Sequence, residues 1–182
     1  MFFCCRRLEA AYFGPGSRLR EIKGRAFSNC SSLESISVPP GVRTLGKECF
    51  CYCESLSSIT FKTGSQLIEI GSEAFSFCTL LTSIDITASV RRISDNCFSD
   101  CRALKRVTFE DRSQLREIEA GAFSGCASLR SIRIPRSVEI ISGLCFEECH
   151  SLRRVGFEPD SRLRSIRGNA IPKTARVVIA RH

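Results

Sequence analysis

Residues 122–134 read AFSGCASLRSIRI, a Phe-x-x-Cys group followed by three apolar residues at fixed spacing. Leu129 comes three residues after Cys126, Ile132 three residues later, and Ile134 two residues beyond that. Five positions held in register over six copies indicate a tandem repeat, in which successive Phe residues are 23, 25, 23, 25 and 23 residues apart. The six Phe-x-x-Cys groups are Phe27/Cys30, Phe50/Cys53, Phe75/Cys78, Phe98/Cys101, Phe123/Cys126 and Phe146/Cys149.

The repeat also contains a second apolar pair before each Phe, and its two lengths form a 48-residue double unit. The longer copies carry two extra loop residues, in the segments 14–17, 62–65, 110–113 and 158–161. The apolar pairs are Leu19/Ile22, Val42/Leu45, Leu67/Ile70, Val90/Ile93, Leu115/Ile118, Val138/Ile141 and Leu163/Ile166.

The pattern within one copy predicts short strands and tight turns. Ser131, Ile132, Arg133 and Ile134 alternate polar and apolar with period 2, which is typical of a half-buried strand. The Ala-Phe-x-x-Cys segment is too short for a stable α-helix, so we expect a single tight helical turn there. One copy offers about seven inward apolar residues at roughly 1.5–3 kcal/mol each. Ordering its backbone costs on the order of 24–48 kcal/mol. The copies must therefore stack into a β-rich repeat solenoid.

Segments such as 128–138 followed by 145–149 resemble the BspA-like leucine-rich repeats. That family follows Leu-x-x-Ile-x-Ile-Pro-x-x-Val-x-x-Ile-Gly-x-x-Ala-Phe-x-x-Cys. The glycine after the second Ile is present at Gly46 and Gly71, whereas other residues occupy that position at Ser94, Glu119, Ser142 and Arg167. The resemblance implies a right-handed leucine-rich-repeat solenoid that binds other proteins, often at cell or pathogen surfaces. It implies no catalytic residues.

The repeat register predicts one solenoid domain over residues 1–182. We expect a partial repeat at 1–13 that opens without an evident N-terminal cap, as in a fragment of a longer chain. Complete repeats follow at 17–41, 42–66, 67–89, 90–114, 115–137 and 138–162. A partial repeat at 163–182 closes the stack, with a last strand predicted in 175–180.

Composition excludes several classes of protein. The chain has 182 residues, of which 43% are hydrophobic and 25% charged, which is ordinary for a globular protein. No apolar run approaches the ~18 residues of a membrane span. Residues 1–7 do not form a secretory signal, because Arg6 and Arg7 interrupt the apolar stretch. Localisation is therefore suggested only by the resemblance, which favours the cell surface or secretion.

The net charge of +8 is unevenly distributed along the chain. Residues 1–91 carry 10 Lys and Arg against 8 Asp and Glu, whereas residues 92–182 carry 17 against 11. This balance favours acidic partners.

Ten of the 12 cysteines occupy repeat positions. Seven follow a Phe at the Phe-x-x-Cys spacing, counting Cys5, and Cys49, Cys97 and Cys145 alternate with Ala in the position before the Phe. A position shared by Cys and Ala predicts a small buried site, so we expect a column of reduced thiols. Disulfides are disfavoured because equivalent residues of stacked repeats point in the same direction. A zinc site around Cys49, Cys51 and Cys53 stays open as an alternative, and no cofactor is predicted.

Catalytic motifs are not found in the sequence. The two histidines are His150, in a turn, and His182, at the end of the chain. Phosphate-binding Gly-rich loops, nucleophile elbows and His-Glu-x-x-His motifs are missing. The acidic pairs fall in turns, where solvated charge explains them. We therefore predict a non-catalytic binding scaffold.

Two charged surfaces are candidate binding sites. The residue directly after the first member of each apolar pair is usually Arg, and we call this column the arginine stripe. Its positive charges could follow the phosphates of a nucleic acid. Because Glu residues alternate with these Arg residues, we favour the interpretation that the stripe is a solvated face of mixed charge. Nucleic-acid binding is the alternative interpretation. The arginine stripe consists of Arg20, Arg43, Ile68, Arg91, Arg116, Glu139 and Arg164.

The second surface lies on the outward positions of the strand that follows each Leu. It changes from neutral and acidic residues to strongly basic ones along the chain. We name the basic part the basic face and predict that it docks an acidic protein or a surface glycan, in adhesion or partner recognition; an intracellular scaffold is the alternative. The basic face consists of Lys105, Arg106, Arg130, Arg133, Arg153 and Arg154.

Overall fold

The computed structural model describes residues 2–14 and 16–179, and it is a parallel β-solenoid. Pro15, Ala180 and His182 lie outside the described residues. Short and long strands alternate along the chain, one of each in every repeat. The short strands are β2 (Glu21–Ile22), β4 (Thr44–Leu45), β6 (Glu69–Ile70), β8 (Arg92–Ile93), β10 (Glu117–Ile118), β12 (Ile140–Ile141) and β14 (Ser165–Ile166). The second series has four residues in each strand except the two-residue β1, and comprises β1 (Ala10–Ala11), β3 (Ser35–Val38), β5 (Ser58–Phe61), β7 (Ser83–Ile86), β9 (Arg106–Phe109), β11 (Ser131–Ile134), β13 (Arg154–Phe157) and β15 (Arg176–Ile179).

The two sets of strands differ in continuity. The seven short strands form one parallel sheet in chain order, from β2 to β14. The other strands form separate parallel sheets, β1-β3-β5, β7-β9 and β11-β13-β15. Both interruptions fall on steps of 25 residues, where the two extra loop residues follow the strand. The 23-residue steps pair in full register, as Ser131 with Arg154 and Ile134 with Phe157.

The segment around each Phe differs from the expected helical turn. No helix occurs among the described residues, and this segment is a run of tight turns. Around Phe98, the N–H groups of Cys97, Ser99 and Cys101 donate within the repeat to carbonyls three residues earlier, at 3.1–3.3 Å. The N–H groups between them, of Asn96, Phe98 and Asp100, donate to carbonyls of the next repeat at 2.8–2.9 Å.

Left-handed backbone makes this alternation possible. Asn96 and Asp100 have φ of 52° and 55°, a region that Asn, Asp and Gly visit most readily. The equivalent positions one repeat later are Gly121 and Gly125. An α-helix would use every N–H internally, whereas the solenoid needs alternate ones to join its repeats.

The core follows the predicted columns. Phe50, Phe75, Phe98, Phe123 and Phe146 are fully buried, and their rings stack with centroids 5.2–5.6 Å apart. The stack continues through Phe27 to Phe2, the Phe of the opening partial repeat. The Leu and Ile columns between the two sets of strands are buried throughout the central repeats.

The cysteine column is buried except at its open end. All twelve cysteines lie in the described part of the chain and are free thiols, ten of them buried. Cys5 belongs to the column, but it is exposed, as is Cys4, at the first repeat of the described stack. The expectation of a buried column is therefore wrong for Cys5.

Candidate binding surface

The pairing of β11, β13 and β15 places the basic residues in adjacent columns. Arg154 is aligned with Ser131 on one side and with Arg176 on the other. Arg153 lies beside Arg130, since the Arg153 N–H donates to the Arg130 carbonyl at 2.9 Å. Neighbouring parallel strands lie about 4.8 Å apart. The guanidinium groups therefore share one surface, and like charges in such positions repel.

All six residues of the basic face are exposed, and few are neutralised. Arg133 Nε lies 3.9 Å from Glu158 Oε1, with the Arg133 side chain 67% exposed, so this ion pair contributes little. Arg153 donates to the His150 carbonyl oxygen at 3.2 Å. Within residues 2–14 and 16–179, the side chains of the other four form neither an ion pair nor a hydrogen bond; these are Lys105, Arg106, Arg130 and Arg154.

Arg176 extends the basic face and was missed by the sequence analysis. The sequence predicts the last strand but does not align it with β13, because the preceding segment departs from the repeat at Ile171 and Thr174. The structure pairs Arg176 with Arg154, and Arg176 is exposed. The step from Arg154 to Arg176 is 22 residues, one fewer than the shorter repeat length. Aligning the last strand from its C-terminal end, with Ile179 opposite Phe157, would have placed Arg176 opposite Arg154.

The earlier part of this surface is neutral or acidic, with the exposed Glu34 in the column that later holds Lys105 and Arg130. Ser35, Ser37, Ser58 and Thr60 occupy the positions that hold Arg in later repeats. The first acidic residue within a strand of this series, Asp85 on β7, accepts a hydrogen bond from the Thr108 hydroxyl on β9. The basic face therefore begins at β9 and continues to the last described strand.

Comparison with family models assigns the repeat. A model described as BspA type Leucine rich repeat region matches in six copies, over residues 1–114 and 68–177. The chain belongs to this family. The expected resemblance is thus confirmed, and proteins of this family are generally repeat scaffolds. A search of curated proteins found no match.

Solved structures agree with the family assignment. The chain is similar to the pneumococcal vaccine antigen PcpA, with 30% identity and a TM-score of 0.73, over 79% of this chain and 37% of that one. It is also similar to the T. pallidum Leucine Rich Repeat protein, with 26% identity and a TM-score of 0.51, over 90% of this chain and 68% of that one. This chain therefore spans little more than a third of the pneumococcal antigen.

The arginine stripe of these BspA-type repeats is a continuous backbone ladder on the short-strand side. From Arg43 onward, the backbone N–H of each member donates to the carbonyl oxygen of the member one repeat earlier, at 2.8–2.9 Å. Its charge is partly compensated, since Arg164 Nη1 lies 3.2 Å from Glu139 Oε2 and Arg43 donates to Gln66 at 3.4 Å. Ile68, 39% exposed, interrupts it. The stripe is therefore a mixed surface, as the sequence predicts.

Burial raises the pKa of the Cys49, Cys51 and Cys53 thiols, which keeps them neutral, and Cys49 and Cys53 point to different neighbours. Burial raises the pKa of Cys49 well above its ordinary range and that of Cys51 to about 11. Cys53 Sγ donates to the Phe27 carbonyl, in the repeat before, whereas Cys49 Sγ lies 4.0 Å from the Ala74 carbonyl, in the repeat after. A cysteine binds metal or acts as a nucleophile in its thiolate form, and burial disfavours that form here. The described part of the chain holds no group of three or more potential metal ligands.

The described residues contain no helix long and apolar enough to cross a membrane.

Proposed function

We propose that this chain is a non-catalytic recognition module whose basic face, extended by Arg176, docks an acidic protein partner in adhesion or recognition. The observation that carries the proposal is the stack of uncompensated cations on adjacent strands. Arg154 and Arg176 are direct neighbours, and Arg130 lies beside Arg153. Such neighbours destabilise a sheet by a few tenths of a kcal/mol to about 1 kcal/mol per pair, and a bound anion would remove that cost.

Arginine suits this role better than lysine. Its planar guanidinium holds a carboxylate through two parallel hydrogen bonds, and six of the seven residues of the extended face are Arg. The similarity to a vaccine antigen supports a role in recognition at a surface. A sulfated or carboxylated surface glycan is the other ligand that such a face fits.

The test is a charge reversal on one surface with a matched reversal on the other. The triple variant Arg130→Glu, Arg133→Glu and Arg154→Glu should lose the interactions that quantitative pull-down finds for the wild-type chain. These side chains are exposed, so the circular dichroism spectrum and the unfolding midpoint should change little.

The control is the triple variant Arg20→Glu, Arg43→Glu and Arg91→Glu on the arginine stripe. It should retain the interactions that the first variant loses. A nucleic-acid binder would show the opposite ranking, with affinity falling steeply as salt rises. If neither variant alters any interaction, the basic face is only a solvated surface and the proposal is wrong.

A further inference from the structure

A notch interrupts the basic face at Gly156. This residue is aligned with Arg133 on β11 and Val178 on β15, and among the described strands it is the only member of its column without a side chain. The space above it measures about 250 Å³. It is lined by Ser131, Arg133, Arg154 and Val178, together with Ile132 and Phe157, whose side chains are buried in the core. We call this space the Gly156 notch.

Packing does not require glycine at this position. The φ angle of Gly156 lies outside the left-handed region that favours glycine. A Cβ atom built there would lie 3.8 Å from the Ile132 carbonyl oxygen and 3.9 Å from that of Val178, which is ordinary contact. Glycine inside a strand weakens it, and often marks a place where another group approaches the backbone closely. The volume is therefore free for a ligand.

The rim of the notch is cationic and its wall is apolar. Arg154 lies two residues before Gly156 on the same strand and has no ion-pair partner in residues 2–14 and 16–179. Arg133 lies beside Gly156 on the preceding strand, and its contact with Glu158 is long and exposed. Val178, 40% exposed, presents apolar surface to the same space. A ligand group that fits must combine an anionic end with methylene groups.

We propose that the Gly156 notch receives a Glu or Asp side chain of an acidic protein segment lying across the strands. Arg133 and Arg154 hold its carboxylate, and Val178 packs against its methylene groups. This inference rests on the proposed function and narrows it to one seat on the basic face. A glycan sulfate would satisfy the two guanidiniums but would leave the apolar wall uncovered.

Fluorescence anisotropy with a fluorescein-labelled hexaglutamate peptide tests the seat directly. The variant Gly156→Val fills the notch with the residue that occupies the same column on β15. We expect its dissociation constant for the peptide to rise about tenfold or more, because charge-assisted hydrogen bonds are lost. Its melting temperature should stay equal or rise, because Val favours strands and Gly does not. If the variant loses binding while its melting temperature is not lowered, unfolding cannot be the cause of the loss.

Two further variants separate the notch from general charge. Thr60→Val places the same residue in the same column on β5, before the basic face begins, and should leave binding unchanged. Arg154→Lys keeps the charge but removes the planar fork. It should weaken peptide binding severalfold, whereas a purely electrostatic surface would bind equally well.

The outcomes distinguish this inference from the proposed function. If Gly156→Val binds hexaglutamate as the wild type does while the Arg130, Arg133 and Arg154 charge reversal abolishes binding, the notch proposal is overturned and the docking face stands. If the charge reversal also has no effect, both fall. Binding of a heparin-derived oligosaccharide that is stronger than hexaglutamate binding and equally sensitive to Gly156→Val would overturn the carboxylate assignment. The notch proposal also fails if wild-type protein does not bind the peptide, and the pull-down then judges the face alone.

Discussion

The cysteine of each Phe-x-x-Cys group has a defined hydrogen-bonding role. Its Sγ donates to the carbonyl oxygen of the Phe one repeat earlier, at 3.0–3.2 Å in six successive repeats. That oxygen also accepts the N–H of the Cys in its own repeat, as Phe98 does from Cys101 and Cys126. Both lone pairs of a buried carbonyl are thus satisfied. A small hydrophobic residue would fill the same space without this bond.

The buried thiols make stability depend on alkaline pH. Burial raises the pKa of Cys97 well above its ordinary value of 9.0, so the folded chain keeps a proton that the unfolded chain releases. The stabilisation is complete below pH 9 and is lost as pH rises towards the folded pKa. Each such thiol should lower the free energy of unfolding by about 1.4 kcal/mol per pH unit above 9.

Substitutions at one column measure this effect through urea unfolding on either side of pH 9 under reducing conditions. Cys97→Ala should make the decline of the unfolding free energy with pH shallower, by the contribution of one thiol. The substitution should fit, since Ala74 and Ala122 already occupy this column in neighbouring repeats. Ala122→Cys should make it steeper by one proton. Identical slopes in all three proteins would contradict the assignment.

At the scale of the element, two glycines that directly follow short strands allow the backbones of successive repeats to approach closely. A Cβ atom on Gly46 would contact the backbone nitrogen of Gly24 and lie 2.8 Å from the Lys23 carbonyl carbon. A Cβ atom on Gly71 would lie 2.7 Å from the Leu45 carbonyl oxygen. These are the two positions where the chain keeps the glycine of the family pattern. Close backbone approach, not a positive φ, explains them.

Alanine at Gly46 should therefore destabilise the solenoid. The contacting atoms belong to the backbone and cannot rotate away, so we expect a loss of about 1–3 kcal/mol in the free energy of unfolding. Gly143→Ala is the control, because a Cβ atom there lies 3.7 Å from its nearest neighbour, the Arg167 carbonyl oxygen. It should be neutral or stabilise by up to about 1 kcal/mol. Equal losses for both variants in chemical denaturation would refute the close approach.

On the scale of the whole molecule, each repeat is stabilised by the repeats on either side. Phe98 stacks between Phe75 and Phe123 and is fully buried, whereas the Phe2 ring, among the described residues, stacks on one side against Phe27 and is 47% exposed. Such nearest-neighbour stacking makes the cost of one substitution depend on position in the stack.

This positional dependence can be measured with one substitution made twice. Phe98→Ala should cost roughly 3–5 kcal/mol, as a cavity in a closed core. Phe2→Ala removes the same atoms from the open end of the same column and should cost clearly less. Chemical denaturation of the two variants provides the comparison. Equal losses would mean that the ring column is not stacked as described.

Much of the basic face could be predicted from side-chain spacing. Arg133 and Arg154 could be placed outward because period-2 alternation along a strand is a local property. Arg176 and the Gly156 notch could not be predicted in this way. Both depend on how β13 aligns with β15, across an irregular 22-residue step.

The sequence by itself determined the repeat, the buried columns and the outward charges, since these follow from spacing within about 25 residues. Only the tertiary structure decided which atoms satisfy the turn N–H groups and the thiols. Asn96, Phe98 and Asp100 donate to the next repeat, and Cys101 donates to the one before. The partners lie a whole repeat away along the chain and become neighbours only by stacking. The expected helical turn was wrong for that reason, since a five-residue pattern carries no information about hydrogen bonds to another repeat.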